Sequence, residues 1–362
     1  KRASHDRISP RGSRPAPDWW IEPSFYWYPM AQRSRSRGTR AMIWAVTGAT
    51  GFLGRHLVEA SLSRGATVRA LSRTIVPPSV EHFEGDLLEP DPAGIAAFLK
   101  GADVLFHLAG MVSRQKADAE KMMRLHIEGT RAILEGAKKA GVRRVVLAST
   151  SGTVGIFEDE RTADDNSPYA MAVASEFAYY RSKIYQEKLA MDFAKSSDLE
   201  LVCLRPSLLL GPGDHRLSST GDVKAFLDKK FPVIPAGGIS FVDARDTAAA
   251  FVEAAVRKIA PLPRTYLLTA ENWSMARFVR EMEEVSGVRA PTKQLNKSIL
   301  DIGSSIVRLL GEPSFLPDAE SMKMASLYWY VDAARAKEEL GFNTRPARET
   351  LRDTIDFIRA MP

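Results

Sequence analysis

The stretch Val46-Thr47-Gly48-Ala49-Thr50-Gly51-Phe52-Leu53-Gly54 constrains the fold more than any other part of the chain. Ahead of it, Met42 to Val46 is a short apolar run with strand character. Behind it, Leu53, Leu57, Val58 and Leu62 recur at helical spacing on one face, and Arg64-Gly65 ends the pattern. A strand, a glycine turn and an amphipathic helix form the unit that holds a dinucleotide pyrophosphate. The first glycine makes the tight turn, the second lets the backbone approach the phosphates, and the third lets helix and strand pack closely. The spacing is G-x-x-G-x-x-G, wider at its first step than G-x-G-x-x-G, so the flanking strand and helix carry more of the argument than the glycines do.

From Met42 onward strands and helices alternate. This predicts an α/β fold: a Rossmann-type doubly wound parallel sheet with a smaller C-terminal substrate-binding lobe. Thr67 to Leu71 reads as the second strand, Pro77 to Gly85 as a short link, and Ala102 to Gly110 as a buried strand. A long helix follows from about Ala117 to Ala140, then a further buried strand at Arg144 to Ala148. Residues 42–200 read as the dinucleotide-binding domain, with the sheet completed by 201–214 and 239–258. Residues 215–362 form mainly the substrate lobe, with helices at Phe278 to Val285 and Ile299 to Leu310 and a turn at Gly311-Glu312-Pro313. The run Tyr330 to Phe342 carries a capping Asp332 and a terminal Gly341.

At 362 residues the chain is long enough for such a pair of lobes. Its formal charge of +6 invites a nucleic-acid reading, but the charge is local. Residues 1–41 hold nine Lys and Arg against Asp6, Asp18 and Glu22, so the remainder is balanced and no basic surface for nucleic acid is implied. This segment, rich in Arg, Ser and Pro, with Trp19-Trp20 and Phe25-Tyr26-Trp27-Tyr28, reads as a disordered basic and aromatic leader. It is upstream sequence if translation starts at Met42, and a surface-seeking arm is the alternative. The single cysteine, Cys203, lies in an apolar run and reads as a buried strand residue, which fits a reducing cytoplasm. The six histidines have no paired spacing for a metal, and no apolar stretch approaches the length of a membrane span.

Several residues then fall where ligands bind such a sheet. Arg73 follows the second strand, where an acidic residue would take the ribose 2′-hydroxyl of NAD. A cation there suits the 2′-phosphate of NADP. Asp86 either meets the adenine amino group or caps the next helix. Ala109-Gly110 would let the backbone approach a cofactor. The strand at Arg144 to Ala148 ends in Ser149-Thr150-Ser151-Gly152-Thr153. About thirty residues on, Tyr179 and Lys183 stand at i and i+4 of a helix. An ammonium beside a phenol favours the phenolate and lowers the tyrosine pKa from about 10, which suits proton exchange at a carbonyl.

In this order the glycine turn, Gly85-Asp86-Leu87, His107-Leu108-Ala109-Gly110 and Tyr179 to Lys183 resemble the extended short-chain dehydrogenase/reductase (NAD-dependent epimerase/dehydratase) family. Leu204-Arg205-Pro206-Ser207 with Gly211-Pro212-Gly213-Asp214, and Phe241 to Ala248, are similar to its later segments. The resemblance spans roughly residues 42 to 360. It implies an enzyme in which Tyr179 exchanges a proton with the substrate oxygen while Lys183 holds the nicotinamide ribose. Thr150, or Ser151 by a count from the other side, orients the carbonyl. The cofactor, NADP in preference or NAD, is implied to lie against Gly48, Thr50, Gly51, Phe52, Leu53, Gly54, Arg73, Asp86, Leu87, Leu108, Ala109, Gly110, Tyr179, Lys183, Pro206 and Ser207. Homodimers through the helices near 117–140 and 179–195 are common in the family.

The chain departs from the family pattern in two places. His126 stands where the family carries Asn; it either substitutes for the Asn or packs within its helix. After the strand-end Thr150, Ser151-Gly152 replaces the Asp-Glu pair of the dehydratase branch. Neither residue is a general acid, which disfavours sugar-nucleotide dehydration. The largely apolar lead-in Ser167 to Phe177, without paired basic residues for a nucleotide diphosphate, is closest to the dihydroflavonol-reductase-like branch. An apolar ketone, aldehyde or alcohol is the small-molecule substrate that branch implies. Sugar-nucleotide epimerisation and 3β-hydroxysteroid oxidation are the alternatives. A non-enzymatic dinucleotide sensor is disfavoured by the presence of both Tyr179 and Lys183. Met322, Met324, Tyr328, Trp329 and Tyr330 read as either lid or core.

Overall fold

Strand β1 (Ile43–Thr47) and helix α1 (Phe52–Ser63) flank the glycine turn where the apolar pattern places them. The computed structural model describes residues 41–361 except 232, 296–298 and 300–318. The leader before residue 41, the helix expected beyond Ile299 and the turn at Gly311-Glu312-Pro313 lie outside the described residues.

Strands β2 (Thr67–Ser72) and β3 (Glu81–Glu84) follow, then α2 (Pro92–Leu99) and β4 (Val104–His107). The long helix is present, but in pieces: α3 (Ala119–Arg124), a π-helical turn at Leu125–Gly129 and α4 (Thr130–Lys139). After it come β5 (Arg144–Ala148), a short β6 (Thr162–Ala163), α5 (Met171–Ala174), α6 (Ala178–Lys195) and β7 (Glu200–Pro206). The chain continues through β8 (Leu208–Leu210), α7 (Gly221–Leu227), β9 (Gly238–Asp243) and α8 (Ala244–Val256). Strand β10 (Arg264–Leu268), β11 (Glu271–Ser274), α9 (Met275–Ser286) and β12 (Tyr330–Val331) complete the set used below.

Seven strands form one sheet in the order β10-β7-β5-β4-β1-β2-β3, and every adjacent pair is parallel. Parallel strands buried on both faces need apolar residues at successive positions, and β1 and β4 show why the chain complies. Trp44, Val46, Val104 and Phe106 face one core with Leu57 of α1 and Phe251 of α8. Ala45 and Leu105 face the other with Phe98 of α2 and Leu134 of α4. The strand order reverses between β1 and β4, and a doubly wound sheet opens its ligand crevice there, at the carboxyl ends.

Three expectations are corrected. The link at Pro77 to Gly85 contains β3, an edge strand half-exposed along its length. The helix after it is capped by Asp91, whose carboxylate accepts from the amides of Ala93 and Gly94 at 3.0 and 2.9 Å, and not by Asp86. The sheet is completed by β7 and β10, whereas 239–258 contributes no strand to it. Strand β8 follows β7 after one residue and turns out of the large sheet. Strand β9 pairs with it and, antiparallel, with β11, leaving the position beside β7 to β10. Helix α8 still packs on the large sheet, through Ala248, Phe251 and Ala255.

The second sheet, β11-β9-β8, carries its own core. Phe226 of α7, Phe241, Trp273 and Phe278 meet Leu351 and Ile355 of the helix at Ala347–Ala360. Asp332 accepts from the amide of Ala334 at 2.9 Å, and Gly341 ends the helix Ala334–Leu340 at φ 64°, as the capping pattern predicts. Among the described residues no helix is long and apolar enough to cross a membrane. Cys203 is fully buried in β7, where burial pushes its thiol pKa up.

Candidate active site

The glycine turn is closed on itself and on its neighbour. Gly48 has φ +74°, and a Cβ there would stand 2.7 Å from the Ala109 amide and the Leu108 carbonyl carbon. A Cβ on Gly54 would stand 2.1 Å from the Gly48 carbonyl oxygen. Residues 108 and 109 at the end of β4 therefore form the floor of the turn. Gly51 precedes α1 without a side-chain cap, and the first helical turn holds no acidic residue, so its leading amides are open to an anion. Ser207, just past β7, has a buried hydroxyl with no hydrogen-bond partner among the described residues. A cradle without room for Cβ atoms, an uncapped helix start and an orphaned hydroxyl fit a dinucleotide.

At the outer lip, Arg73 is 63% exposed and lies 3.5 Å from Asp86, a distance that leaves the pair weak. The Asp86 carboxylate also accepts from the Leu88 amide at 3.0 Å. Leu87 is buried, with its carbonyl against Gly129.

The reacting end lies where β5 stops. Thr150 is half-buried and starts a single 3-10 turn, and its hydroxyl accepts only a long 3.4 Å contact from the Gly152 amide. Ser151 is 5% exposed. On α6, Tyr179 is half-buried and its hydroxyl makes no hydrogen bond among the described residues. Its ring lies edge-on to Tyr180, at 5.0 Å between centroids, and to His126 at 6.1 Å. Tyr180 in turn stacks at a tilt on Trp329, 5.0 Å away, and meets Phe177 edge-on. A Cβ on Gly152 would stand 2.4 Å from the Tyr180 ring, so the glycine is what lets this aromatic wall close on the strand end.

Lys183 is 5% exposed, and its ammonium donates to the Ala148 carbonyl at 2.6 Å and to the Gln186 side-chain oxygen at 2.5 Å. Without a dinucleotide the ammonium is directed at these two oxygens and not at the Tyr179 hydroxyl. Burial, with Tyr180 adding to it, pushes the Tyr179 phenol up, while burial pushes Lys183 down to about 8. Two of the lysine's three N–H groups go to neutral acceptors.

His126 does more than pack. It sits in the π-helical turn, accepts from the Met111 amide through Nε2 at 3.1 Å and contacts the Ser182 hydroxyl through Nδ1 at 2.8 Å. The Ser182 proton goes to the Tyr179 carbonyl at 2.6 Å, so Nδ1 must carry the imidazole proton and donate. His126 thus ties the loop after β4 to the helix that carries Tyr179 and Lys183. Burial, with Lys183 and His107 adding to it, holds it neutral, well below the usual histidine range.

Beneath these residues Glu187 is fully buried. Its carboxylate is held by Arg205, from Nε at 3.1 and 3.2 Å and from Nη2 more closely. It also accepts from Ser149 at 2.5 Å and Tyr169 at 3.0 Å. The sequence pattern alone passes over Gln186 and Glu187. The available signal was that Lys183, Gln186, Glu187, Ala190 and Ala194 share one face of α6, and all five are buried.

An uncapped glycine turn at the switch point of a parallel sheet, with a tyrosine and a lysine on the adjoining helix, defines a nicotinamide-dinucleotide enzyme of the short-chain dehydrogenase/reductase type. The chain belongs to the NAD-dependent epimerase/dehydratase family, whose model matches residues 44–268, from β1 to the end of β10. A Synechocystis protein named as a dihydroflavonol 4-reductase is 30% identical over 87% of this chain and 94% of its own length. Sterol demethylase protein B of Methylococcus capsulatus is 28% identical over 88% and 98%. Among solved structures, gox2253 superposes with a TM-score of 0.75 at 28% identity, covering 88% of this chain and 98% of that one. The Thermus thermophilus UDP-glucose 4-epimerase complex with NAD shares the fold at a TM-score of 0.68 and 23% identity, over 88% and 99%.

Proposed function

We propose that this enzyme transfers a hydride between NADP, in preference to NAD, and an apolar ketone, aldehyde or alcohol. The observation that carries the reading is the unbonded Tyr179 hydroxyl beside the aromatic wall of Tyr180, Trp329 and Phe177. Two cations near that wall are matched by carboxylates, Arg114 with Asp222 at 3.3 Å and Lys323 with Glu176 at 2.6 Å. That leaves an apolar surface better suited to a carbon skeleton than to a diphosphate. Neither the Synechocystis nor the Methylococcus relative is named for a nucleotide sugar.

In this reading Tyr179 gives a proton to, or takes one from, the substrate oxygen. Thr150 donates a hydrogen bond to the same oxygen; its half-open hydroxyl supports it over the buried Ser151. Lys183 keeps one N–H beyond those given to Ala148 and Gln186, and that one is left for the dinucleotide. Gly48, Thr50, Gly51, Phe52, Leu53 and Gly54 offer backbone to the pyrophosphate. Leu108, Ala109 and Gly110 form the floor, Pro206 and Ser207 the nicotinamide side, and Asp86 with Leu87 the adenine side. The nicotinamide, when bound, supplies or accepts the hydride.

The test is oxidation of NADPH and NADH against a panel of hydrophobic ketones and aldehydes, with UDP-sugars alongside. Turnover of the hydrophobic carbonyls is expected. Turnover confined to UDP-sugars would replace the reading with epimerase chemistry. The cofactor preference rests on Arg73. Arg73→Glu is expected to raise KM for NADPH about tenfold or more by replacing the cation with an anion, and to leave KM for NADH within about twofold. Equal shifts for both would remove Arg73 from 2′-phosphate recognition.

A further inference from the structure

Gln186 is 1% exposed, and a buried amide is costly unless both its ends are bonded. Here both are. Its oxygen accepts from Lys183 at 2.5 Å, and its Nε2 donates to the Thr130 hydroxyl at 2.7 Å. The reverse orientation would set amide hydrogens against the ammonium, so the lysine determines which way the amide points. The chain of contacts does not end at Thr130. That hydroxyl lies 2.9 Å from His107 Nε2, His107 Nδ1 lies 2.7 Å from the Thr47 hydroxyl, and Thr47 also accepts from the Ala109 amide at 3.2 Å. Burial, with Lys183 adding to it, pushes His107 down to about 3, so it is neutral. One of its nitrogens donates and the other accepts, and the chain is unbroken in either tautomer. Thr47, His107 and Thr130 are each 1% exposed or less. The far end is the floor of the glycine turn: Thr47 precedes Gly48, and Ala109 is the residue a Cβ on Gly48 would strike.

We propose that Gln186 is a positioning residue for the hydride-transfer site. It clamps the Lys183 ammonium and ties it, through Thr130, His107 and Thr47, to the backbone that receives the dinucleotide. The inference rests on the reading that Lys183 contacts that dinucleotide.

The charges around the lysine explain why a neutral clamp matters. Glu187 on the same helix is saturated by Arg205, Ser149 and Tyr169. Cys203 on β7 is held as the thiol, and His107 on β4 and His126 in the π-helical turn are neutral. Tyr179, on the same helix, is held as the phenol. The ammonium therefore has no free counter-ion, and amide and carbonyl oxygens keep it charged at neutral pH. Removing the amide removes half of that support, and a carboxylate in its place would supply a counter-ion.

The experiment follows NADPH and NADH binding by quenching of protein fluorescence, without turnover, from about pH 6.5 to 9.5. In the native protein affinity is expected to fall as pH passes about 8, where burial brings the ammonium to deprotonate. Gln186→Met is expected to move that breakpoint down by roughly one unit and to weaken binding about fivefold at pH 8, while Gln186→Glu moves it up by roughly one unit. Thr130→Val, which frees the amide, should move it down by a smaller step, and Thr130→Ser should restore it. A purely structural role would lower stability without moving the breakpoint, so an unchanged breakpoint in Gln186→Glu and Thr130→Val overturns the proposal even if Gln186→Met does not fold. Failure of the oxidoreductase reading would show separately, as no turnover of the carbonyl panel with binding intact.

Discussion

Tyr179→Phe is expected to lower kcat about a thousandfold in the active direction while changing dinucleotide affinity by less than about threefold. The physical case is unusually clean because the hydroxyl has no hydrogen bond to any described residue. Deleting it strands no partner, and the ring keeps its edge contacts with Tyr180 and His126. What is lost is only the proton donor and acceptor at the substrate oxygen. Burial raises the phenol in the unliganded protein, so the group is protonated at neutral pH and ready to act as the acid in reduction. Thr150→Val measured beside it should cost about a hundredfold in kcat, against less than about threefold for Ser151→Ala. Unchanged kcat in Tyr179→Phe would remove the tyrosine from the chemistry. A larger loss in Ser151→Ala than in Thr150→Val would reassign the carbonyl contact.

Glu187→Gln is expected to destabilise the protein by about 3 kcal/mol or more, because it leaves the buried Arg205 guanidinium with only the Asp165 carboxylate, 4.0 Å away, as counter-ion. In a chain of this size that corresponds to a fall in melting temperature of about 4–7 °C. The pH dependence has a definite sign. Arg205, Ser149 and Tyr169 outweigh the burial penalty and hold the folded-state pKa of Glu187 below its ordinary 4.5. Its contribution is therefore fully present above that value and is lost as pH falls through the lower, folded value. Native and variant melting temperatures should converge under acid and diverge at neutral pH. A constant difference across that range would mean that the carboxylate's charge is not what stabilises.

The first half of the fold was legible because its signals are local. The glycines sit between an apolar strand and an amphipathic helix, and the close approach of Leu108 and Ala109 to Gly48 explains why that position needs a glycine. Tyr179 and Lys183 were legible from helical spacing. The pairing of β10 with β7 was not, since β9 (Gly238–Asp243) and β10 (Arg264–Leu268) are both short and largely apolar, and hydrogen-bond partners are not written in a strand's own residues. The half-buried edge strand β3 was missed for a related reason: two of its four residues are glutamates.

His126 shows the same division at the site. Its position in the family segment was plain from the order of residues. That it bonds Met111 on one side and Ser182 on the other depends on the loop after β4 meeting α6 across a π-helical turn.

The amino-acid sequence by itself determined that this chain builds a parallel sheet around a dinucleotide turn and carries a tyrosine and a lysine one helical turn apart. Those features follow from periodicity, glycine sterics and residue type, all of which act within a few positions of the chain. The tertiary structure decided where the lysine's hydrogen bonds go. Ala148, Gln186, Thr130 and His107 come from four different elements, and only their convergence in a buried, water-poor core makes neutral oxygens the partners of an ammonium that the sequence alone would have paired with Tyr179.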